Sequence, residues 1–141
     1  MSPRADEVAA AAHLVGLDEA RPLTAAERRL LEALIEPLDL AELSEQIARA
    51  VVVAQCSCGC PSVGLRTDGP VLPAELVARL SDTGSDDSLG VSAWGPNGEG
   101  RDVQVTLHVV RGRLDELEVW PGWDGGEVRT ALPSGESLRR E

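Results

Sequence analysis

Hydrophobic residues recur at helical spacing over residues 24–37. Thr24 and Glu27 form a T-x-x-E capping box, in which each side chain accepts a hydrogen bond from the other residue's backbone N–H. The apolar positions that follow share one side of a helix, and they are Leu30, Leu31, Leu34 and Ile35. Pro37 ends the pattern. The spacing predicts a helix that packs one face against a core.

A second, shorter helix is predicted directly afterwards. Asp39 and Glu42 repeat the capping pattern at its start. Its apolar stripe consists of Leu40, Leu43 and Ile47. Residues 5–15 are rich in alanine with a thin apolar stripe, which is typical of a weak helix. We therefore expect residues 1–22 to form a helical extension ahead of the main domain.

The pattern changes from helical to extended after residue 50. Val51–Cys56 is rich in β-branched residues and too short for a helix, so it predicts a strand, and residues 62–67 read as its returning partner. Residues 73–80 are interpreted as a short helix with proline at its first position, or as an irregular segment. Residues 89–94 predict a further strand.

The clearest strand pair lies between residues 103 and 120, where valine and leucine alternate with polar residues on both sides of a turn. A two-residue turn with regular pairing would place Leu107 opposite Glu116. We therefore expect one extra residue near Asp115, a β-bulge, with Leu107 opposite Val119.

The chain has two histidines. In the expected register, His108 lies on the polar face of its strand, opposite Glu118, which is an ordinary cross-strand charge pair. That interpretation outweighs a catalytic role. His13 falls in the weak N-terminal helix and has no evident partner.

Together these elements predict an α+β fold, with N-terminal helices followed by an antiparallel sheet of about five strands. The expected organisation is a helical extension over residues 1–22, a single domain over residues 23–126, and a surface or frayed tail over residues 127–141. No internal repeat is visible.

Composition narrows the functional classes. The chain has 141 residues and a net charge of -11, with 43% hydrophobic residues, which fits one globular domain. The negative charge argues against binding the phosphate backbone of nucleic acids or an anionic membrane surface. All 13 basic residues are arginine, which excludes a Schiff-base lysine. The N-terminus resembles no signal peptide, so we expect a cytoplasmic location.

The three cysteines lie within five positions, in the motif C-S-C-G-C-P. In an extended segment alternate residues face one way, so the thiols of Cys56, Cys58 and Cys60 could converge. With His108 or His13 they would form a Cys₃His zinc site. Structural zinc usually draws on two separated cysteine pairs, however, and only one cluster is present. The alternatives are a tight turn with packed cysteines and a reactive thiol at Cys58 or Cys60.

Asp82 begins the sequence D-T-G-S, which is the catalytic loop signature of aspartic proteases. In those enzymes the loop follows a hydrophobic strand, and two loops bring two carboxylates together. The residues before Asp82 make a poor core strand, so a polar loop is the simpler interpretation. Calcium binding is not supported either, since the twelve-residue loop pattern is absent.

Trp94, Trp120 and Trp123 are the only aromatic residues. Strand alternation predicts that Trp120 faces away from the side of Leu117 and Val119. Neighbouring exposed tryptophans suggest a partner-binding surface, because tryptophan dominates binding energy at many interfaces. The alternative is that Trp120 and Trp123 only cover the sheet.

Three segments resemble small uncharacterised proteins of GC-rich bacteria. They are the L-T-A-A-E-R-R-L-L helix start, the C-S-C-G-C-P-S turn and the R-G-R-L-D-E-L-E-V hairpin. Together they cover most of residues 23–120. The resemblance implies a shared fold and no particular activity.

These features favour a non-enzymatic acidic binding protein that contacts a protein partner. Immunity proteins that neutralise basic toxins are an analogy, since opposite charge speeds association. A zinc-binding protein that uses the cysteine cluster is the alternative, and a thiol-based enzyme is a further one. No other cofactor is predicted, and the oligomeric state stays open.

Overall fold

The computed structural model describes residues 14–57, 60–96, 102–120 and 132–140. The strands are β1 (Leu14–Pro22), β2 (Val51–Cys56), β3 (Val63–Arg66), β4 (Ser88–Pro96), β5 (Asp102–Val110) and β6 (Arg113–Trp120). The helices are α1 (Ala25–Ile35), α2 (Ala41–Ala48) and α3 (Ala74–Leu80), and short 3₁₀ turns cover Glu36–Leu38 and Gly135–Ser137. The strands form one antiparallel sheet in the order β1-β2-β3-β6-β5-β4. The fold is therefore α+β.

Two parts of the predicted architecture are wrong. The sheet has six strands instead of five, and α3 lies between strands, so the helices are not all N-terminal. The extra strand is β1, which replaces the described part of the predicted helical extension. Its residues show only a weak apolar pattern, and their conformation depends on pairing with β2, from Leu14 opposite Cys56 to Pro22 opposite Val51. Residues 1–13 lie outside the described part of the chain.

The capping box of α1 is confirmed. The backbone N–H of Glu27 donates to Thr24 Oγ1 at 3.1 Å, and the N–H of Thr24 donates to Glu27 Oε1 at 2.8 Å. The carboxylate of Glu27 also accepts two hydrogen bonds from Arg21, each 3.0 Å, which tie the end of β1 to the start of α1. The second capping pattern is wrong: Asp39 is left-handed, with φ 51°, and α2 begins after Leu40 without a side-chain cap.

One hydrophobic core lies between the helices and the sheet. The helices contribute the apolar residues that their spacing predicts, and β5 contributes every second side chain. The most deeply buried members include Leu30, Leu31, Leu34, Leu43, Ile47, Val103, Val105, Leu107 and Leu117. Burial of this apolar surface is the main force that holds the helices on the sheet. No helix among the described residues has the length and apolar character that crossing a membrane requires.

Gln46 on α2 is a fully buried polar residue within this core. Its amide nitrogen donates to Pro70 O at 2.7 Å and to Gly112 O at 2.8 Å. Its Oε1 accepts from the backbone N–H of Leu114 at 2.9 Å. The side chain therefore fastens the loop after β3 and the β5–β6 turn to α2, and it satisfies backbone groups that are shielded from water.

The β5–β6 hairpin contains the predicted bulge. Val109 lies opposite Leu114 and His108 opposite Glu116, so Asp115 is the additional residue. The predicted partner of Leu107 is wrong: one extra residue moves the partner by one position, to Leu117, and both side chains enter the core. The turn itself has positive φ at its two central residues, as a two-residue hairpin of this twist requires.

The described C-terminal segment, residues 132–140, packs against the sheet and α1. The backbone of Arg139 exchanges two hydrogen bonds with Trp94 at the outer edge of β4, of 2.7 and 2.8 Å. Pro133 is buried beside Gly95, where an added Cβ would approach it within 3.0 Å. The guanidinium of Arg140 donates to carbonyls in the last turns of α1.

Candidate functional site

The candidate site is the side of β4–β6 that points away from the helices, which we call the outward face. Opposite residues on neighbouring strands share a face, so its side chains form three rows. The rows are Trp94–Gln104–Trp120, Ser92–Thr106–Glu118, and Gly90–His108–Glu116. None of these residues is buried in the core, whereas their neighbours along β5 and β6 are.

Trp94 and Trp120 meet on this face. They lie on β4 and β6, on either side of Gln104, and their ring centroids are 6.3 Å apart with an angle of 63° between the planes. This is an edge-to-face arrangement, in which the positive edge of one ring points to the negative face of the other. The predicted outward orientation of Trp120 is confirmed. Trp123 lies outside the described residues.

The middle of the outward face is polar. The hydroxyl groups of Ser92 and Thr106 are hydrogen-bonded across β4 and β5 at 2.8 Å. Beside them, Nε2 of His108 lies 2.8 Å from Oε1 of Glu118. The predicted partner of His108 is confirmed although the predicted register is wrong, because Glu116 lies directly opposite and the contact with Glu118 is diagonal.

His108 and Glu118 shift each other's pKa. The hydrogen bond with Glu118 raises the pKa of His108, burial opposes the rise, and the carboxylates of Glu116 and Asp115 reinforce it. The same hydrogen bond lowers the pKa of Glu118, although burial acts to raise it. Glu118 is therefore ionised at neutral pH, and the protonated form of His108, which the raised pKa favours, partly balances its charge.

A shallow cleft of about 290 Å³ adjoins this polar region. It lies between His108 and Gly90 on the sheet and the loop from Ser81 to Thr83 that enters β4. Asp82, the first residue of the D-T-G-S sequence, is exposed on this loop. The loop follows α3, which ends at Leu80, and not a hydrophobic strand, so the surroundings required by an aspartic protease are not found here.

Among the predicted metal ligands that the structure describes, His108 lies far from the cysteines. Cys56 ends β2 and Cys60 lies in the connection to β3, while Cys58 lies outside the described residues. His108 is on β5, three strand spacings from β2, or about 14 Å at about 4.8 Å each. His13, the other candidate ligand, also lies outside the described residues. Within the described part of the chain, no group of three ligating side chains is found.

Sequence reasoning missed the hydrogen-bonded pair of Ser92 and Thr106 and the position of Gln104 between the two tryptophans. Their polar side chains alternate with apolar neighbours along β4 and β5, so their outward orientation was available from the pattern. The residues that lie beside them on the adjacent strands could not be predicted, because they depend on how β4 and β6 pair with β5.

Comparison of the chain with protein-family models, curated proteins and solved structures found no match in any of the three. The resemblance to small proteins of GC-rich bacteria therefore stays a prediction. Any functional conclusion depends on the chemistry of the outward face itself.

Proposed function

We propose that this chain is a non-enzymatic acidic binding protein whose outward face contacts a basic protein partner. The observation that carries the proposal is the edge-to-face pair of Trp94 and Trp120 on the outward face, where both side chains are half-buried. Tryptophan is enriched among the residues that contribute most binding energy at interfaces. A half-buried pair beside carboxylates is suited to such a contact.

Charge determines the kind of partner. The outward face carries Glu118 in the row next to the tryptophans and Glu116 in the row beyond it, and the whole chain carries a net charge of -11. Complementary charge accelerates association and disfavours partners of the same sign. A basic protein therefore fits this surface, in the way that acidic immunity proteins bind basic toxins, which is an analogy at the level of charge.

The test begins with capture of partners from a lysate of the source organism on immobilised wild-type chain. The captured protein is then produced separately, and its affinity is measured against wild type, W94A, W120A and V71A. Val71 is an exposed hydrophobic residue outside the outward face, so its variant is the matched control. We expect affinity losses of about tenfold or more for each tryptophan variant, with V71A unchanged.

Salt dependence provides the second measurement. Binding through complementary charge should weaken as ionic strength rises, because screening acts over about 10 Å at 0.1 M salt. An acidic partner, or equal affinity for W120A and V71A, would overturn the proposal.

A zinc site at the β2–β3 turn is a second candidate, favoured by the register of β1. Leu14 lies directly opposite Cys56, and His13 is joined to Leu14 by one peptide bond. His108, by contrast, lies three strand spacings from β2. The candidate ligands then become the cysteine cluster with His13.

Elemental analysis of protein purified without chelator tests this second candidate. We expect one zinc per chain in wild type and in H108A, and loss of zinc in H13A and C60S. H108A is the matched histidine control. Zinc-free wild type, or zinc retained by H13A, would exclude this ligand set.

A further inference from the structure

The C-terminal segment over residues 132–140, which we call the strap, lies along the outer edge of β4. Arg139 of the strap pairs with Trp94 through two backbone hydrogen bonds, in an antiparallel bridge. β4 is the last strand of the sheet on this side. The strap therefore occupies the position that an added strand of another protein would take.

Few contacts hold the strap in place. Its pairing with Trp94 is an isolated bridge and not a continued ladder. The guanidinium of Arg139 donates to Asp102, and the two side chains are 62% and 48% exposed. Arg140 donates to carbonyl groups in the last turns of α1. Exposed ion pairs contribute little to stability, and terminal segments open at a small part of the free energy of global unfolding.

The edge of β4 continues beyond the bridge. Peptide groups alternate in direction along an antiparallel strand, and those of Trp94 point outward to Arg139. The peptide groups of Ser92 and Gly90 therefore point outward as well, and both residues are exposed. Because the strap runs antiparallel to β4, the chain after Arg139 heads toward Ser92 and Gly90. A longer strand in the same position would gain backbone pairs with both.

The surroundings of this edge favour positive charge. Arg139 lies against the carboxylate of Asp102, and Arg140 lies at the C-terminal end of α1, where the helix dipole attracts cations. Further along, Asp86 and Asp87 are exposed on the loop that leads into β4. A basic, extended segment therefore fits the edge in its backbone geometry and in its charge.

We infer that the strap is an exchangeable, intramolecular occupant of the β4 edge, and that a basic extended segment of the partner replaces it there. This inference rests on the proposed function, whose outward face shares Trp94 with the edge. Strand addition takes its affinity from main-chain hydrogen bonds, and the acidic surroundings select a basic segment. The strap lowers the apparent affinity for the partner in proportion to the fraction of chains in which the edge is closed.

Gly95→Ala and Gly90→Ala are a matched pair that tests whether the strap opens. A Cβ at Gly95 would lie 3.0 Å from Pro133 Cβ and 3.2 Å from Leu138 Cδ2, so its methyl group presses on the strap. A Cβ at Gly90 would lie 3.5 Å from Thr106 Cγ2, which is an ordinary contact distance. Hydrogen exchange of the Trp94 N–H, measured by NMR, should be faster in G95A and unchanged in G90A.

Arg140→Ala and Arg79→Ala form a second pair that leaves β4 itself unaltered. Each removes one exposed arginine, but Arg79 lies on α3 and Arg140 contacts α1. R140A should also speed exchange of the Trp94 N–H, and R79A should not. Wild-type exchange rates in both G95A and R140A would overturn the inference.

Peptides measure the exchange directly. The probes are fluorescent peptides with the sequence L-P-S-G-E-S-L-R-R of the strap, extended by Arg-Val-Arg or by Glu-Val-Glu. We expect the arginine form to bind R140A about fivefold tighter than wild type or R79A, and to bind every chain more tightly than the glutamate form. N-methylation of the arginine that corresponds to Arg139 removes the donor to Trp94 O and should abolish binding. Undiminished binding of the N-methylated peptide, or equal binding of the two extended forms, would overturn the inference.

The captured partner separates this inference from the proposed function. If W120A weakens the partner while R140A leaves its affinity unchanged, the outward face binds without the edge, and the inference alone is wrong. If R140A tightens the partner while W94A and W120A have no effect, the edge binds the partner and the proposed face is wrong. A concentration-dependent dimer of R140A would assign the edge to the strap of a second copy and overturn the inference.

Discussion

The two faces of β5 are built from alternate residues of one strand and serve different purposes. Val103, Val105, Leu107 and Val109 are at most 1% exposed and pack under the helices. Gln104, Thr106 and His108 point the other way: Gln104 lies between Trp94 and Trp120 in the register, and the other two form hydrogen bonds with side chains on the adjacent strands. Substitutions on the inward side should therefore change stability, whereas those on the outward side should leave it nearly unchanged and, under the proposed function, weaken binding.

The largest expected effect comes from exchanging the two faces. Deleting Thr106 shifts Val103 and Val105 by one position and turns them outward, because side chains alternate with a period of two. The loss of two buried valines costs about 3–6 kcal/mol, so we expect an unfolded chain by circular dichroism. Deleting Asp115 removes only the additional residue of the bulge and should leave a folded protein. If both deletion variants fold, or if both are unfolded, the assigned register is wrong.

A cavity on the inward side has the next largest effect. Leu107→Ala removes a fully buried side chain opposite Leu117. We expect a loss of about 3 kcal/mol in the free energy of unfolding, measured in urea. Thr106→Ala, one residue away on the outward face, is the control and should cost less than about 1 kcal/mol. Similar losses of unfolding free energy in L107A and T106A would show that the two faces of β5 do not differ in their contribution to stability.

The buried amide of Gln46 tests whether the inward side tolerates a change of chemistry without a change of size. Gln46→Leu removes three hydrogen bonds and leaves Leu114 N–H without its acceptor. We expect a loss of about 2 kcal/mol, measured by chemical unfolding. Gln55→Leu, at an exposed position of β2, is the matched control. A stable Q46L protein would mean that burial alone holds the β5–β6 turn.

The smallest effect concerns His108. Its raised pKa means that the ion pair with Glu118 stabilises the fold fully below the ordinary histidine pKa of about 6.5, and that this stability is lost as pH rises through the folded pKa. Both side chains are more than a third exposed, so the contribution is under about 1 kcal/mol. Wild type and H108A should therefore differ more at pH 5.5 than at pH 8.5 in urea unfolding. A difference in unfolding free energy between wild type and H108A that grows with pH would contradict a stabilising ion pair between His108 and Glu118.

Local signals predicted much of the fold. The T-x-x-E sequence located the start of α1, and the alternation in β5 and β6 identified the core face, the bulge at Asp115 and the direction of Trp120. These features depend on residues close in sequence, where spacing alone restricts the geometry. The contact between His108 and Glu118 was also accessible, since both lie on one hairpin.

Distant pairings could not be predicted in the same way. β1 is a strand because β2 lies beside it, and its own residues carry only a weak pattern. β3 pairs with β6 across the whole α3–β5 region, and this order separates His108 from the cysteines. Gln46 looks like a polar position of a helix, and its burial follows from two loops that arrive from elsewhere in the chain. The Trp94–Trp120 pair likewise depends on the order of three strands.

The pairing of Arg139 with Trp94 has a consequence for the handling of this protein. An edge strand with unpaired peptide groups is a template for intermolecular β-pairing and aggregation. Loss of Arg139 and Arg140 by proteolysis would uncover the N–H and C=O of Trp94 and remove the contact of Arg140 with α1. Intact mass is therefore a useful criterion of sample quality, because a shortened chain should lose solubility well before it loses its core.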